Sequence, residues 1–240
     1  MQELGKFLKK DLIVDEIEKK ALYLIKKVDA KPATVNYTPF GAFYPFPSAV
    51  CTSINDGVAH GISVNNKYKL KEGDIISLDI VIQYKGLYVD ICRTYGIGKL
   101  KKQDLKLIKV AREVTNKAIS QVRIGKNTEN VGKIAEKTAR KYNFDTVKIL
   151  GGHAVGRKIH DKPFIPNAPN LGIPVIEFKK NMVLAIEPIV VAGKPEIKLD
   201  KNKYLYLTKD GKNSAQFEET ILLTKNGPEI LTTISEKSFY

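Results

Sequence analysis

Hydrophobic positions follow two periods along this chain, and the switches between them outline the fold. Ile17, Ala21, Leu24 and Val28 recur at helical spacing and predict a first helix over 14–28. Leu105, Ile108, Ala111, Ala118 and Val122 predict a second over 103–123, and Val131, Ile134, Ala135 and Ala139 a third over 128–142. β-rich runs occupy 75–84 and 87–95, then 183–191, 204–208 and 215–224, with glycine, proline and asparagine around the turns. Residues 38–47 read TPFGAFYPFP, where proline, glycine and aromatics together predict a structured loop suited to lining a pocket.

The first two strands carry the earliest chemical signal. Lys85-Gly86 between them suits a two-residue hairpin, which sets Tyr84 opposite Leu87 and Asp79 opposite Cys92. Asp90 lies two positions before Cys92, so it shares the face of Asp79 and becomes its diagonal neighbour, roughly 7–8 Å away at the backbone. Aspartate is depleted in strands, and Asp79 is embedded in the apolar run IISLDIVI. Glu187 stands in MVLAIEPIVV, where an unpartnered carboxylate costs several kcal/mol or shifts its pKa. Adding Glu218 in QFEET and His153 in GGHAVG completes a candidate metal-binding set. Four converging carboxylates repel one another unless cations neutralise them, so their number favours two divalent ions. Oxygen donors with one imidazole and no thiolate suit cobalt, manganese, iron or zinc.

Composition narrows the setting. At 240 residues and 43% hydrophobic content the chain can bury a substantial core, and one domain over 1–240 is the simplest organisation. No apolar run approaches the roughly 20 residues that span a bilayer, and MQELGKFLKKDL lacks the apolar segment of a secretory signal, so a cytoplasmic location without membrane attachment is expected. Cys51 and Cys92 form no CxxC motif and are expected to be reduced. The formal charge of +14 implies attraction to polyanions such as ribosomes, although the lysines are scattered without aromatic interleaving. GxSxG, GxxxxGK[ST] and HExxH are all absent, which disfavours serine hydrolase, P-loop and zincin chemistry.

Taken in order, CTSINDGVAHGI, SLDIVIQYKGLYVD, GGHAVGRKIHDKPFIPN, MVLAIEPIV and AQFEETILLT resemble the motifs of methionine aminopeptidases, and the match covers nearly the whole chain after Val14. The stretch between Glu187 and Glu218 is too short for the inserted helical subdomain of type II enzymes, and GGHAVGRKIHDKP has type I wording. The resemblance implies an α+β pita-bread (creatinase/aminopeptidase) fold: a curved, mostly antiparallel sheet covered by helices, in two pseudo-two-fold halves.

It also implies roles. Asp79, Asp90, His153, Glu187 and Glu218 carry over as metal ligands, and Glu187 also as a proton shuttle. His160 would bond the substrate carbonyl or the tetrahedral oxyanion, and His60 the scissile-side nitrogen. Phe43, Phe46, Cys51, Ile159 and Tyr204 would wall the methionine pocket. The substrate would be a peptide or nascent-chain N-terminus whose initiator methionine precedes a small residue. Three departures stand out: MQELGKFLKK is shorter than the usual first helix, Val81 replaces a hydroxyl residue, and Glu219 stands where histidine commonly follows the last ligand. An Xaa-Pro peptidase of the same fold usually carries a further N-terminal domain, and a noncatalytic ribosome- or RNA-binding relative would have little use for all five ligands.

Overall fold

The computed structural model describes residues 1–39 and 41–233. Among the described residues there are four helices: α1 (Gln2–Phe7), α2 (Val14–Lys27), α3 (Lys102–Ser120) and α4 (Thr128–Arg140). The last three match the helices predicted from periodicity to within a turn. In α2, Ile17, Ala21 and Ile25 are buried while Val28 is 56% exposed, so the buried stripe turns through Ile25 instead of continuing to Val28. Val28 is the C-cap, one residue past the end of the helix at Lys27. The segment MQELGKFLKK forms the six-residue α1, whose Leu4 is buried in the main core. α4 begins with reciprocal bonds between Asn127 and Asn130, each side-chain oxygen accepting from the other's backbone N–H.

The strands form small sheets in which every pairing between named strands is antiparallel. In the first, Ile75–Tyr84 pairs with Leu87–Gly96 along one edge and with Cys51–Ile54 and Lys31–Pro32 along the other. The hairpin has the expected register, Tyr84 opposite Leu87 and Asp79 opposite Cys92. Lys85 and Gly86 both take positive φ, 48° and 82°, as a tight turn matched to strand twist requires. In the second half of the chain a five-stranded sheet runs Gly227–Ile230, Glu219–Thr224, Val183–Ile186, Gly151–Ala154, Asp161–Pro166. Of two three-stranded sheets, one joins the halves by pairing Tyr206–Thr208 with Gly57–Ala59, and the other holds Ser214–Gln216, Ile189–Val191 and Asp145–Thr146.

The runs predicted at 183–191 and 215–224 are each interrupted. Val183–Ile186 pairs with Glu219–Thr224 in the five-stranded sheet, whereas Ile189–Val191 pairs with Ser214–Gln216 in a different one. The register is the same on both sides of the interruption, Ile186 with Glu219 and Ile189 with Gln216. Continuing it sets Glu187 opposite Glu218 at the step between sheets. Pro188 has no N–H to give to a ladder, which helps to end the pairing there. Between the two glutamates the chain forms short strands and no helix.

Candidate metal centre and active site

Four segments meet at one cavity of about 730 Å³. Asp79 and Asp90 come from the hairpin, His153 from Gly151–Ala154, and Glu187 and Glu218 from the paired interruptions. Strand geometry therefore delivers all five side chains, Asp79 and Asp90 through alternation, His153 from its own strand, and Glu187 and Glu218 through a shared break. Gly152 permits the approach of His153's strand to its neighbour, since a Cβ at this position would fall 2.2 Å from the Ala185 carbonyl oxygen.

The donors converge closely. Ligand atoms of Asp90, His153 and Glu218 all lie within 4.8 Å of one another. His153 Nε2 is 3.7 Å from Asp90 Oδ2 and 3.5 Å from Glu187 Oε1. Its Nδ1 donates to the Ala154 carbonyl at 3.0 Å, so in the neutral ring the Nε2 lone pair faces these carboxylates. Lone pair against anion is repulsive unless a cation stands between them. Asp90 Oδ1 and Glu218 Oε1 are buried without a hydrogen-bond partner, two orphaned acceptors of the kind a metal satisfies. The donor set thus fits divalent cations, with an imidazole oriented by its other nitrogen.

Burial raises the Asp79 carboxyl to about 6, although a bond with Asp90 works in the opposite direction. Asp90 is pushed well above the carboxylate range by burial and then by the Asp79 and Glu187 charges. Glu187 and Glu218 are raised well above theirs too, again chiefly by burial and then by neighbouring acids. These are the signatures of an anion cluster whose counter-charge comes from outside the protein chain.

The same cavity is lined by His60, His160, Phe43, Phe46, Cys51, Ile159 and Tyr204, so every candidate ligand, catalytic and pocket residue named from the sequence borders one space. Phe46, Cys51 and Ile159 are buried, Tyr204 is half-buried, and Phe43 is 62% exposed at the mouth. Tyr204 meets Phe46 edge-on with ring centres 6.0 Å apart and donates its hydroxyl to the Pro45 carbonyl at 3.2 Å. His60 holds a φ of +62°, a left-handed backbone uncommon outside glycine and typical of functional positions. Its ring packs edge-on against Tyr206, and burial lowers its pKa. The His160 ring lies perpendicular to that of His153 at 4.4 Å, and desolvation, then the charges of His153 and His60, keep it neutral.

Sequence reasoning passed over three cavity residues. Gln216 donates from Nε2 to Glu187 Oε2 at 3.0 Å, Tyr206 flanks His60, and the Tyr37 hydroxyl lies 2.9 Å from His160 Nδ1. Strand alternation could have found two of them, since Gln216 stands two positions before Glu218 and Tyr206 two after Tyr204.

Comparison with known proteins agrees with this geometry. Residues 1–225 match metallopeptidase family M24. A methionine aminopeptidase of Aquifex aeolicus is 39% identical over 210 residues, 87% of this chain and 81% of that protein. The crystal structure of a methionine aminopeptidase from Thermotoga maritima superposes with a TM-score of 0.89 at 35% identity, covering 97% of this chain and 90% of that one. A prolidase from Pyrococcus horikoshii shares the fold with a TM-score of 0.70 at 20% identity, and this chain covers 58% of it. The α+β pita-bread architecture is common to all of them, and the short helix-free link between Glu187 and Glu218 leaves no place for a type II insertion. The chain belongs to metallopeptidase family M24, among its type I methionine aminopeptidases.

Proposed function

We propose that this protein removes the initiator methionine from peptides and nascent chains whose second residue is small, with two divalent ions held by Asp79, Asp90, His153, Glu187 and Glu218. The observation that carries this reading is the cluster of buried, unneutralised carboxylates around the His153 Nε2 lone pair. Cobalt, manganese, iron and zinc all suit the donors. When bound, such ions act as Lewis acids that activate water at neutral pH and polarise the peptide carbonyl.

The chain's own groups do the rest. Gln216 fixes Glu187 by one oxygen, leaving the other to take a proton from the attacking water and pass it to the leaving amine. The neutral His160 ring offers an N–H to the carbonyl oxygen as negative charge develops there. His60, strained into place, contacts the nitrogen at the scissile bond. Phe46, Cys51, Ile159 and Tyr204 receive the methionine side chain, with Phe43 at the rim; full burial of such a side chain contributes about 1.5–3 kcal/mol. Among the described residues no helix is long and apolar enough to cross a membrane. That fits a cytoplasmic enzyme, and the +14 charge favours encounter with the anionic ribosome where nascent chains emerge.

Hydrolysis of Met-Ala-Ser beside Gly-Pro, after reconstitution with each metal and with a chelated control, tests the assignment. Cleavage of Met-Ala-Ser alone is expected, and cleavage of Gly-Pro alone would overturn it in favour of an Xaa-Pro peptidase.

A further inference from the structure

We infer that Tyr37 is a positioning residue for the reaction: its hydroxyl bonds Nδ1 of His160 and thereby fixes the imidazole as the Nε2–H tautomer, aimed into the cavity. This deepens the peptidase reading and rests on it for its catalytic consequence, though the tautomer itself does not. The hydroxyl lies 2.9 Å from Nδ1, and the two rings are tilted at 57° with centres 5.2 Å apart. A phenol ordinarily titrates near 10, so it carries its proton at neutral pH and is the donor. A neutral imidazole has one N–H; with Nδ1 accepting, that proton is on Nε2. A cationic ring is disfavoured so close to a site built for metal cations. No described residue hydrogen-bonds Nε2, which leaves it for a ligand in the cavity.

Both partners are held by backbone. The Tyr37 N–H donates to the Thr34 carbonyl at 3.0 Å, and its carbonyl accepts from the Phe46 N–H at 2.8 Å. Asn36, at a φ of +63°, donates to the Phe46 carbonyl at 2.8 Å. The TPFGAFYPFP excursion is therefore pinned at its base beside Tyr37. On the other side, the segment leading to His160 is fastened to the hairpin where the Tyr88 N–H donates to the Gly156 carbonyl at 2.7 Å. Two rigid anchors thus set the phenol against the imidazole. Presenting a lone pair instead of the N–H would repel a developing oxyanion, so the tautomer decides whether His160 assists or opposes the reaction.

The chain has 3 histidines, so imidazole-15N spectra can be resolved residue by residue. His160 is expected to report the Nε2–H tautomer in the wild type and a mixture in Tyr37→Phe. With Met-Ala-Ser, Tyr37→Phe should lower kcat about 10-fold, less than the 10²–10³-fold typical of deleting an oxyanion donor outright, with KM and bound metal unchanged. In a His160→Ala background the same substitution should have no further effect. An unchanged tautomer in Tyr37→Phe, or an equal kcat loss without His160, would overturn the inference. If no peptide is cut by the wild type yet the tautomer shifts, the peptidase reading fails while the Tyr37–His160 relation stands.

Discussion

Arg93 and Glu219 form a buried ion pair at the edge of the candidate metal centre, and through it the strand that carries Asp90 is tied to the segment that carries Glu218. The guanidinium Nη2 meets Glu219 Oε1, while Nη1 donates to the Cys92 carbonyl at 2.8 Å and also to the Glu218 carbonyl. Glu219 Oε2 accepts from the Thr232 hydroxyl at 2.5 Å. Glu219 departs from the histidine common at this place in the family, and its partner explains it: a carboxylate neutralises a guanidinium that is 3% exposed. Arg93→Ala strands that carboxylate and removes a donor from the Cys92, Glu218 and Thr232 carbonyls, so a loss of about 3–5 kcal/mol in urea unfolding is expected. A loss below about 1 kcal/mol, the size of an exposed pair, would show the network to be dispensable.

Local pattern made the helices and the hairpin legible, because each rests on periodicity and one turn. Asp79 opposite Cys92 followed from Lys85-Gly86 alone. The interruption at Glu218 was not legible, since 215–224 holds no breaker and divides only because it pairs into two sheets, and Pro188 in 183–191 does not by itself say that the partner strand breaks opposite it. Tyr37 was hidden for the same reason: its partner is 123 positions away and no short motif joins them. Of the candidate ligands, Asp79 and Glu187 stood out because a carboxylate conflicts with the apolar runs around it, Asp90 followed from the hairpin register, and His153 and Glu218 rested on their motifs.

Asp90→Asn should separate stability from function. Removing one of the mutually repelling acids relieves the metal-free protein, because the amide carries no charge and brings an N–H donor into a cluster of carboxylate acceptors. In chelator, the Tm is expected to rise by about 2–4 °C, the change produced by about 1 kcal/mol in a chain of this size. Reconstituted with metal, the variant should lose at least about 100-fold in activity, beyond the 10–100-fold typical of groups that merely orient ligands. A lower Tm in chelator would contradict the repulsion argument.

Metal binding should release protons, and its stabilising effect should grow with pH. Asp79 is raised to about 6 in the folded chain, and Asp90, Glu187 and Glu218 are raised well above the ordinary carboxylate range, chiefly by burial. Between the ordinary carboxylate range near 4 and these folded values, the folded apo-protein binds protons that the unfolded chain has lost. Apo stability therefore falls as pH rises through that window. Cations take the place of the protons, so the metal-induced rise in Tm should be larger at pH 7.5 than at pH 5. Calorimetric titrations in two buffers of different ionisation enthalpy read the released protons directly, and zero release at pH 5 would refute the linkage.

Two glycines distinguish packing from turn chemistry. At Gly152 an added Cβ meets the Ala185 carbonyl oxygen at 2.2 Å, and backbone cannot yield as a side chain can. Because the adjacent His153 pairs with Ala185, any separation of these strands moves the imidazole away from Glu187. Gly152→Ala should therefore cost about 1–3 kcal/mol in overpacking and also weaken manganese binding. Gly86 has open space around it but a φ of +82°, so Gly86→Ala should cost only the roughly 1–2 kcal/mol of a left-handed residue. Its metal affinity should be unchanged, because the paired residues Tyr84–Leu87, Gln83–Tyr88 and Ile82–Val89 stand between the turn and the Val81–Asp90 pair. Equal metal affinities in the two variants would mean that His153 is not located by the close approach at Gly152.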